Sequence, residues 1–252
     1  MTEPAFEDAE ALRAGMNELE WYHSVELAPG VVTPGRYDHR PYLHHYGIPS
    51  NLTGLRALDI GAASGFFSFE LERRGAEVTA LDLPHWMAHD FGPLYQNDRP
   101  LDEAERYLKE PLAFAKRALG SNVQSLYASV YDLDPGEHGT FDLVFCGSML
   151  LHVTDPFRAL CRIREVTGGE AIIATGISGD RRKRPLAEFH GAHDGTIWWL
   201  PNRTGLDRMM EAAGFEDWSW VSTFRLDPVD GSKGIDHGVI RARGNSRSIS
   251  GS

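Results

Sequence analysis

At 252 residues, with 42% hydrophobic and 24% charged residues, the chain is long enough to bury one sizeable core with a small attachment. Its formal net charge of −11 argues against a nucleic-acid partner, because a phosphate-binding surface needs clustered Lys and Arg to displace counterions. No run reaches the roughly 18 apolar residues of a membrane span, and the first twenty residues are acidic and polar, so the expectation is a soluble cytoplasmic protein with no membrane partner.

In chain order, residues 1–50 are expected to form an N-terminal cap and residues 51–244 the main domain. L-R-A-L-D-I (55–60) reads as a first strand and F-F-S-F-E-L-E-R-R-G (66–75) as an amphipathic helix closed by Gly75. E-V-T-A-L-D (77–82) is a second strand, 102–119 a helix rich in Glu, Ala, Leu and Lys, and 123–128 a third strand. F-D-L-V-F-C (141–146) is nearly continuous in apolar character, which predicts a central strand. A helix over 156–166, a strand over 170–175 and a helix over 204–214 follow. Two closing strands, 218–226 and 237–243, flank the turn-rich P-V-D-G-S-K-G and suit an antiparallel edge hairpin. The alternation predicts an α/β fold: a Rossmann-like, doubly wound, mostly parallel seven-stranded sheet. Residues 245–252 have the composition of a disordered tail. Cys146 and Cys161 show no metal spacing and are expected to be reduced, buried residues. The basic run Arg181-Arg182-Lys183-Arg184 precedes Pro185 and reads as a solvated loop.

The stretch L-D-I-G-A-A-S-G (58–65) turns from strand to helix through two glycines. Such a turn lets the backbone pass close to a bulky ligand and points the next helix's N–H groups at it. Asp82 ends the following strand about 20 residues on, where a ribose diol wants a carboxylate. A further acidic site, Y-D-L-D (131–134), follows the third strand. There is no G-K-[ST] for a P-loop and no G-x-G-x-x-G, so an adenosyl ligand without a pyrophosphate fits best and a redox dinucleotide enzyme fits worst.

These residues resemble the class I S-adenosylmethionine-dependent methyltransferases, over roughly residues 50–243. L-D-I-G-A-A-S-G looks like their first motif, with Ala63 where many members have glycine; Asp82 looks like their ribose acid, Asp132 their adenine-edge acid, and F-D-L-V-F-C-G-S-M-L-L-H-V the strand ending under the reactive methyl. A narrower resemblance, carried by W-Y-H-S-V-E-L-A-P-G-V-V-T-P-G (21–35), G-I-P-S-N-L-T-G-L-R-A-L-D-I-G and G-F-F-S-F-E-L-E-R-R-G-A, is to the branch of tRNA wobble-uridine carboxymethyltransferases and their relatives. The resemblance implies S-adenosylmethionine as cofactor, held by Asp59, Gly61, Ala62, Ala63, Ser64, Gly65, Asp82, Leu83, Tyr131, Asp132, Gly147 and Ser148. Position alone adds Arg36 and Tyr37 for its carboxylate.

Methyl transfer to a hydroxyl or acidic C–H requires a proton acceptor, and histidine suits that near neutral pH. His152 follows the fourth strand, His23 sits in the cap, and His190 and His193 lie in E-F-H-G-A-H-D-G-T-I-W-W-L-P-N (188–202), read as a loop beyond the fifth strand. For His152 the alternative is a histidine that caps the next helix or packs in its first turn. Trp21, Tyr22, Trp198 and Trp199 are candidate substrate walls; for Trp21 and Tyr22, aromatic packing of the cap onto the sheet is at least as open. His190, His193 and Asp194 have a weak metal-ligand spacing, and no metal is predicted. His85 and His89 are read as covering the adenine. The expectation is a methyltransferase acting on a small aromatic or keto-type molecule of the kind met in secondary metabolism. An RNA methyl- or carboxymethyltransferase and a non-catalytic cofactor-binding protein stand as alternatives.

Overall fold

The computed structural model describes residues 8–93, 95, 99–191 and 196–244. The N-terminal segment carries α1 (Ala9–Asn17) and a small hairpin of β1 (Glu26–Ala28) and β2 (Val31–Val32), then a 3-10 helix at Arg40–Tyr46. There follow β3 (Arg56–Ile60), α2 (Phe66–Arg73), β4 (Glu77–Asp82), α3 (Leu101–Leu119), β5 (Gln124–Tyr127), the single turn α4 (Pro135–His138), β6 (Phe141–Gly147), α5 (Pro156–Val166) and β7 (Thr167–Gly176). The chain closes with β8 (Ala187–Phe189), β9 (Trp199–Pro201), α6 (Arg203–Ala212), β10 (Trp218–Leu226) and β11 (Ile235–Arg243).

Among the described residues the main sheet has seven strands in the order β10-β11-β7-β6-β3-β4-β5. The five inner and edge strands from β7 to β5 run parallel, and β10 and β11 add the expected antiparallel hairpin. The apolar run of β6 does occupy the middle. Its alternation divides the core: Leu143 and Phe145 join the face covered by α2, α3 and the N-terminal segment, whereas Val144 and Cys146 face α5 and α6. Residues 12–48 contribute Leu12, Met16, Trp21, Val25 and Tyr46 to that first face, so the N-terminal segment shares one core with the sheet.

Two local expectations change. Cys161 is only half-buried on α5, unlike the fully buried Cys146, and both are free thiols. His85 and His89, read as covering the adenine, flank one 3-10 turn, Trp86–Ala88. The 188–202 stretch contains most of β8 and all of β9, which pair antiparallel with Phe189 opposite Trp199 as a cross-strand aromatic pair. The tail 245–252 lies outside the described residues. No helix among the described residues is long and apolar enough to cross a membrane.

This topology fixes where chemistry can occur. The parallel strands all end at one edge, where ligands of open sheets bind. Antiparallel β11 begins at that edge, with His237 opposite Gly176 at the end of β7.

Candidate active site

Between β3 and α2 the backbone runs through Gly61, Ala63 and Gly65 at φ 78, 46 and 88°. Ala63 adopts a left-handed conformation that costs an L-residue about 1–2 kcal/mol. Its N–H donates to Asp82 Oδ2 at 2.7 Å, which helps hold it there. Asp82 Oδ1 accepts from the Leu83 N–H at 2.7 Å. Gly61 and Ala62 both donate to the Leu81 carbonyl. The Asp82 carboxyl is held above its ordinary range by burial, against the lowering effect of the two N–H donors. Beneath the turn, Ser68 Oγ donates to Asp59 Oδ2 at 2.6 Å, and burial pushes the Asp59 carboxyl up to about 7. Ser64 Oγ accepts from the N–H groups of Tyr22 and His23, tying the turn to the N-terminal segment.

That segment lays an aromatic and imidazole layer beside the turn. Tyr22 and Tyr37 are 5.3 Å apart, His23 and His39 5.1 Å, and His39 packs on Phe66 and Phe67 of α2. His23 is buried, its Nδ1 has no hydrogen-bond partner among the described residues, and desolvation drives its pKa down to about 3. His39 Nδ1 lies 2.8 Å from Tyr46 Oη. Arg36 is exposed, with its guanidinium over the Tyr37 ring. Trp21 departs from its candidate role as a substrate wall. It is buried, donates its indole N–H to Met16 O at 2.8 Å and meets Phe114 edge-on, so it is a packing residue.

The opposite rim is built on Asp90. Its Oδ2 accepts from Tyr131 Oη (2.6 Å) and from the N–H and hydroxyl of Thr154 (2.7 and 2.8 Å). The Trp198 indole donates to the Asp90 carbonyl at 2.7 Å and the Trp199 indole to the Thr154 carbonyl at 3.1 Å. His152 Nδ1 contacts the Thr196 carbonyl; a carbonyl only accepts, so Nδ1 carries the proton and Nε2 a lone pair. Burial lowers the His152 pKa to about 4. Of the remaining candidates, Asp132 is exposed, and His190 is exposed with Nε2 3.7 Å from Glu188. His193 and Asp194 lie outside the described residues, among which no group of three or more His, Cys, Asp or Glu is placed to hold a metal ion.

After β6, Gly147 leads into Ser148, which is left-handed at φ 58°. Its Oγ lies 2.9 Å from Nε2 of buried His237. A Cβ on Gly61 would meet Met149 at 3.2 Å, so this turn and the glycine turn are in contact. His39, Asp90 and His237 were missed from the sequence. His237 had a usable signal: an antiparallel last strand must start at the carboxyl edge of its parallel neighbour. The arrangement therefore gathers buried carboxylates, aromatic faces and neutral imidazoles, a setting able to hold a cation and accept a proton.

Comparisons with known proteins agree with this geometry. Residues 37–219 match the model of a family described as a methyltransferase domain. The chain is 28% identical over 189 residues to the tRNA U34 carboxymethyltransferase of Pseudomonas fluorescens (strain Pf0-1), covering 74% of this chain and 53% of that protein. The tRNA U34 carboxymethyltransferase of Ectopseudomonas mendocina (strain ymp) is 28% identical over 171 residues, covering 66% and 47%. The chain thus spans about half the length of the curated relatives it matches. Among solved structures, the N-terminal domain of EvdMO1 in the presence of SAH and D-fucose has a TM-score of 0.63 at 20% identity, covering 97% of this chain and 100% of that one. The 1,6-didemethyltoxoflavin-N1-methyltransferase of Burkholderia thailandensis, with bound 1,6-didemethyltoxoflavin and S-adenosylhomocysteine, has a TM-score of 0.53 at 20% identity, covering 82% and 77%. These structural likenesses concern the fold.

Proposed function

The chain belongs to the methyltransferase-domain family of class I S-adenosylmethionine-dependent enzymes, and from that premise we propose that it methylates a hydroxyl or enolisable carbon of a small aromatic or keto-type molecule. The observation that carries this reading is the composition of the rim: Tyr22, Tyr37, His23 and His39 of the N-terminal segment on one side, and His152 and Trp198 on the other. Such walls suit a compact planar acceptor better than a polyanion.

The residues present fit S-adenosylmethionine. Asp82 uses one lone pair of each oxygen on the turn, which leaves acceptor capacity for a ribose diol. Gly61 and Gly65 supply the left-handed backbone the turn needs, and the Leu83 N–H fixes the Asp82 carboxylate. When bound, S-adenosylmethionine supplies a methyl group already activated by its sulfonium. The protein's part is then to orient and desolvate the acceptor and to remove its proton. Tyr22, Tyr37 and Trp198 are assigned to orientation. The proton acceptor belongs among the histidines that burial keeps neutral, which include His23, His39, His152 and His237. His190 is exposed and stands apart from that set.

A second reading, methyl or carboxymethyl transfer to tRNA, is favoured by the names of the curated relatives and by one feature. Arg181, Lys183, Arg203 and Arg225 line a cavity of about 700 Å³ at the strand edge, although Asp180, Asp207 and Asp236 line it too. Incubation with methyl-labelled S-adenosylmethionine and, separately, catechols, 2-oxo acids, sugars and bulk tRNA distinguishes the two. Label on a small acceptor supports the first reading, and label on tRNA overturns it.

A further inference from the structure

The strand-end turn after β6 holds a hydroxyl–imidazole pair whose hydrogens can be assigned. His237 Nδ1 lies 2.9 Å from the Ile235 carbonyl, so Nδ1 carries the proton. Nε2 is then a bare lone pair, and Ser148 Oγ, 2.9 Å away, donates to it. Three constraints keep the pair in place. β11 is registered on β7 with His237 opposite Gly176, the Phe224 ring stacks on the imidazole at 5.7 Å, and the Ser148 N–H donates to the Ala174 carbonyl at 2.7 Å. Ser148 pays for its place with a left-handed backbone that glycine would adopt freely. A strained residue with a hydroxyl, at the turn touching Gly61, points to use of that hydroxyl.

We propose that Ser148 faces the acceptor and that His237 acts through it as the proton-holding residue of methyl transfer. This rests on the reading above. As the acceptor's oxygen or carbon bonds to the methyl, the methyl–sulfur bond breaks and its electron pair stays on sulfur. The acceptor's proton passes to Ser148 Oγ while the serine's own proton passes to His237 Nε2, which ends as imidazolium beside a neutral serine. The groups facing His237 are the Ile235 carbonyl, the Ser148 hydroxyl and the Phe224 ring, with Asp236 next on the strand and His39 and His152 within electrostatic reach. Burial lowers the His237 pKa, which keeps it ready to accept a proton at neutral pH.

The test has two arms. In the first, nitrogen NMR of the histidine-labelled free protein at pH 7 should show His237 protonated at Nδ1 and bare at Nε2. The Nε2 resonance should move in Ser148→Gly, a variant whose backbone accepts φ 58° without strain. An Nε2–H tautomer, or imidazolium at pH 7, overturns the proposal whatever the acceptor is. In the second, with the best acceptor from the labelling screen, Ser148→Gly and His237→Asn should lose about 10²- to 10⁴-fold in kcat. The loss should fall on kcat and not on KM, and the acid limb of the kcat–pH profile should disappear. Parental kcat and pH profile in Ser148→Gly would make the pair a latch between strands and overturn the proposal. Lack of turnover by the parent itself counts against the methyltransferase reading, and the NMR arm then decides the pair.

Discussion

The backbone N–H of Tyr22 donates to Ser64 Oγ at 3.0 Å, a bond across 42 residues that joins the N-terminal segment to the glycine turn. The His23 N–H reaches the same oxygen at 3.4 Å. The N-terminal segment is therefore hydrogen-bonded directly to the turn. Ser64→Ala leaves two backbone donors without this acceptor, and the expected cost is about 1–3 kcal/mol. It is read as a lower urea midpoint with an unchanged slope, and an unchanged midpoint contradicts the coupling.

Asp82 serves the turn and, in this account, the ribose. Asp82→Ala should weaken S-adenosylmethionine binding by about tenfold or more, close to 1.4 kcal/mol, by calorimetry. An affinity within about twofold of the parent removes the ribose assignment.

Gly65 and Gly214 share φ 88°, so alanine strains the backbone alike at both. Only at Gly65 is there a collision, with Leu112 at 2.5 Å and Phe69 at 2.6 Å, whereas Gly214 has nothing within 4 Å. Gly65→Ala should therefore destabilise by about 1–3 kcal/mol more than Gly214→Ala. Equal losses in thermal or urea unfolding contradict the close packing of this turn.

The buried acids and bases give opposite pH dependences. His23 and His152 titrate near 3 and 4 in the folded chain and near 6.5 when unfolded, so the unfolded state binds more protons between these values. Stability is lost as pH falls from 6.5 toward 4. Asp59, raised to about 7, binds its proton in the folded state where the unfolded chain has released it, so its contribution is lost as pH rises from about 4 to about 7. Asp59→Asn keeps an acceptor for Ser68 and should be more stable than the parent at pH 8, with the gain vanishing near pH 4. A gain independent of pH, or present only in acid, contradicts the assignment.

The middle of the sheet was legible because β3, β4, β6 and β7 are apolar runs closed by glycine or an acid, and the central β6 announced itself by lacking polar alternation. The glycine turn and Asp82 were legible as a pair from their spacing. The rest of the site depends on contacts distant in sequence. Ser148 and His237 are 89 residues apart, Asp90 and Trp198 108, and neither pair leaves a local pattern. Trp21 misled for the opposite reason: an aromatic beside Tyr22 and His23 reads as part of the same surface, yet its indole turns back to Met16 O. The 188–202 stretch looked like loop because β8 is exposed and three residues long, with pairing to β9 in place of apolar burial.

The central claim is the occupant of the strand-end site. Calorimetric titration of the purified protein with S-adenosylmethionine and, separately, with NAD tests it most directly. Stoichiometric binding of S-adenosylmethionine and none of NAD is the expected result. Binding of NAD, or of neither, would contradict it and leave the 58–65 turn as a steric connection between strand and helix.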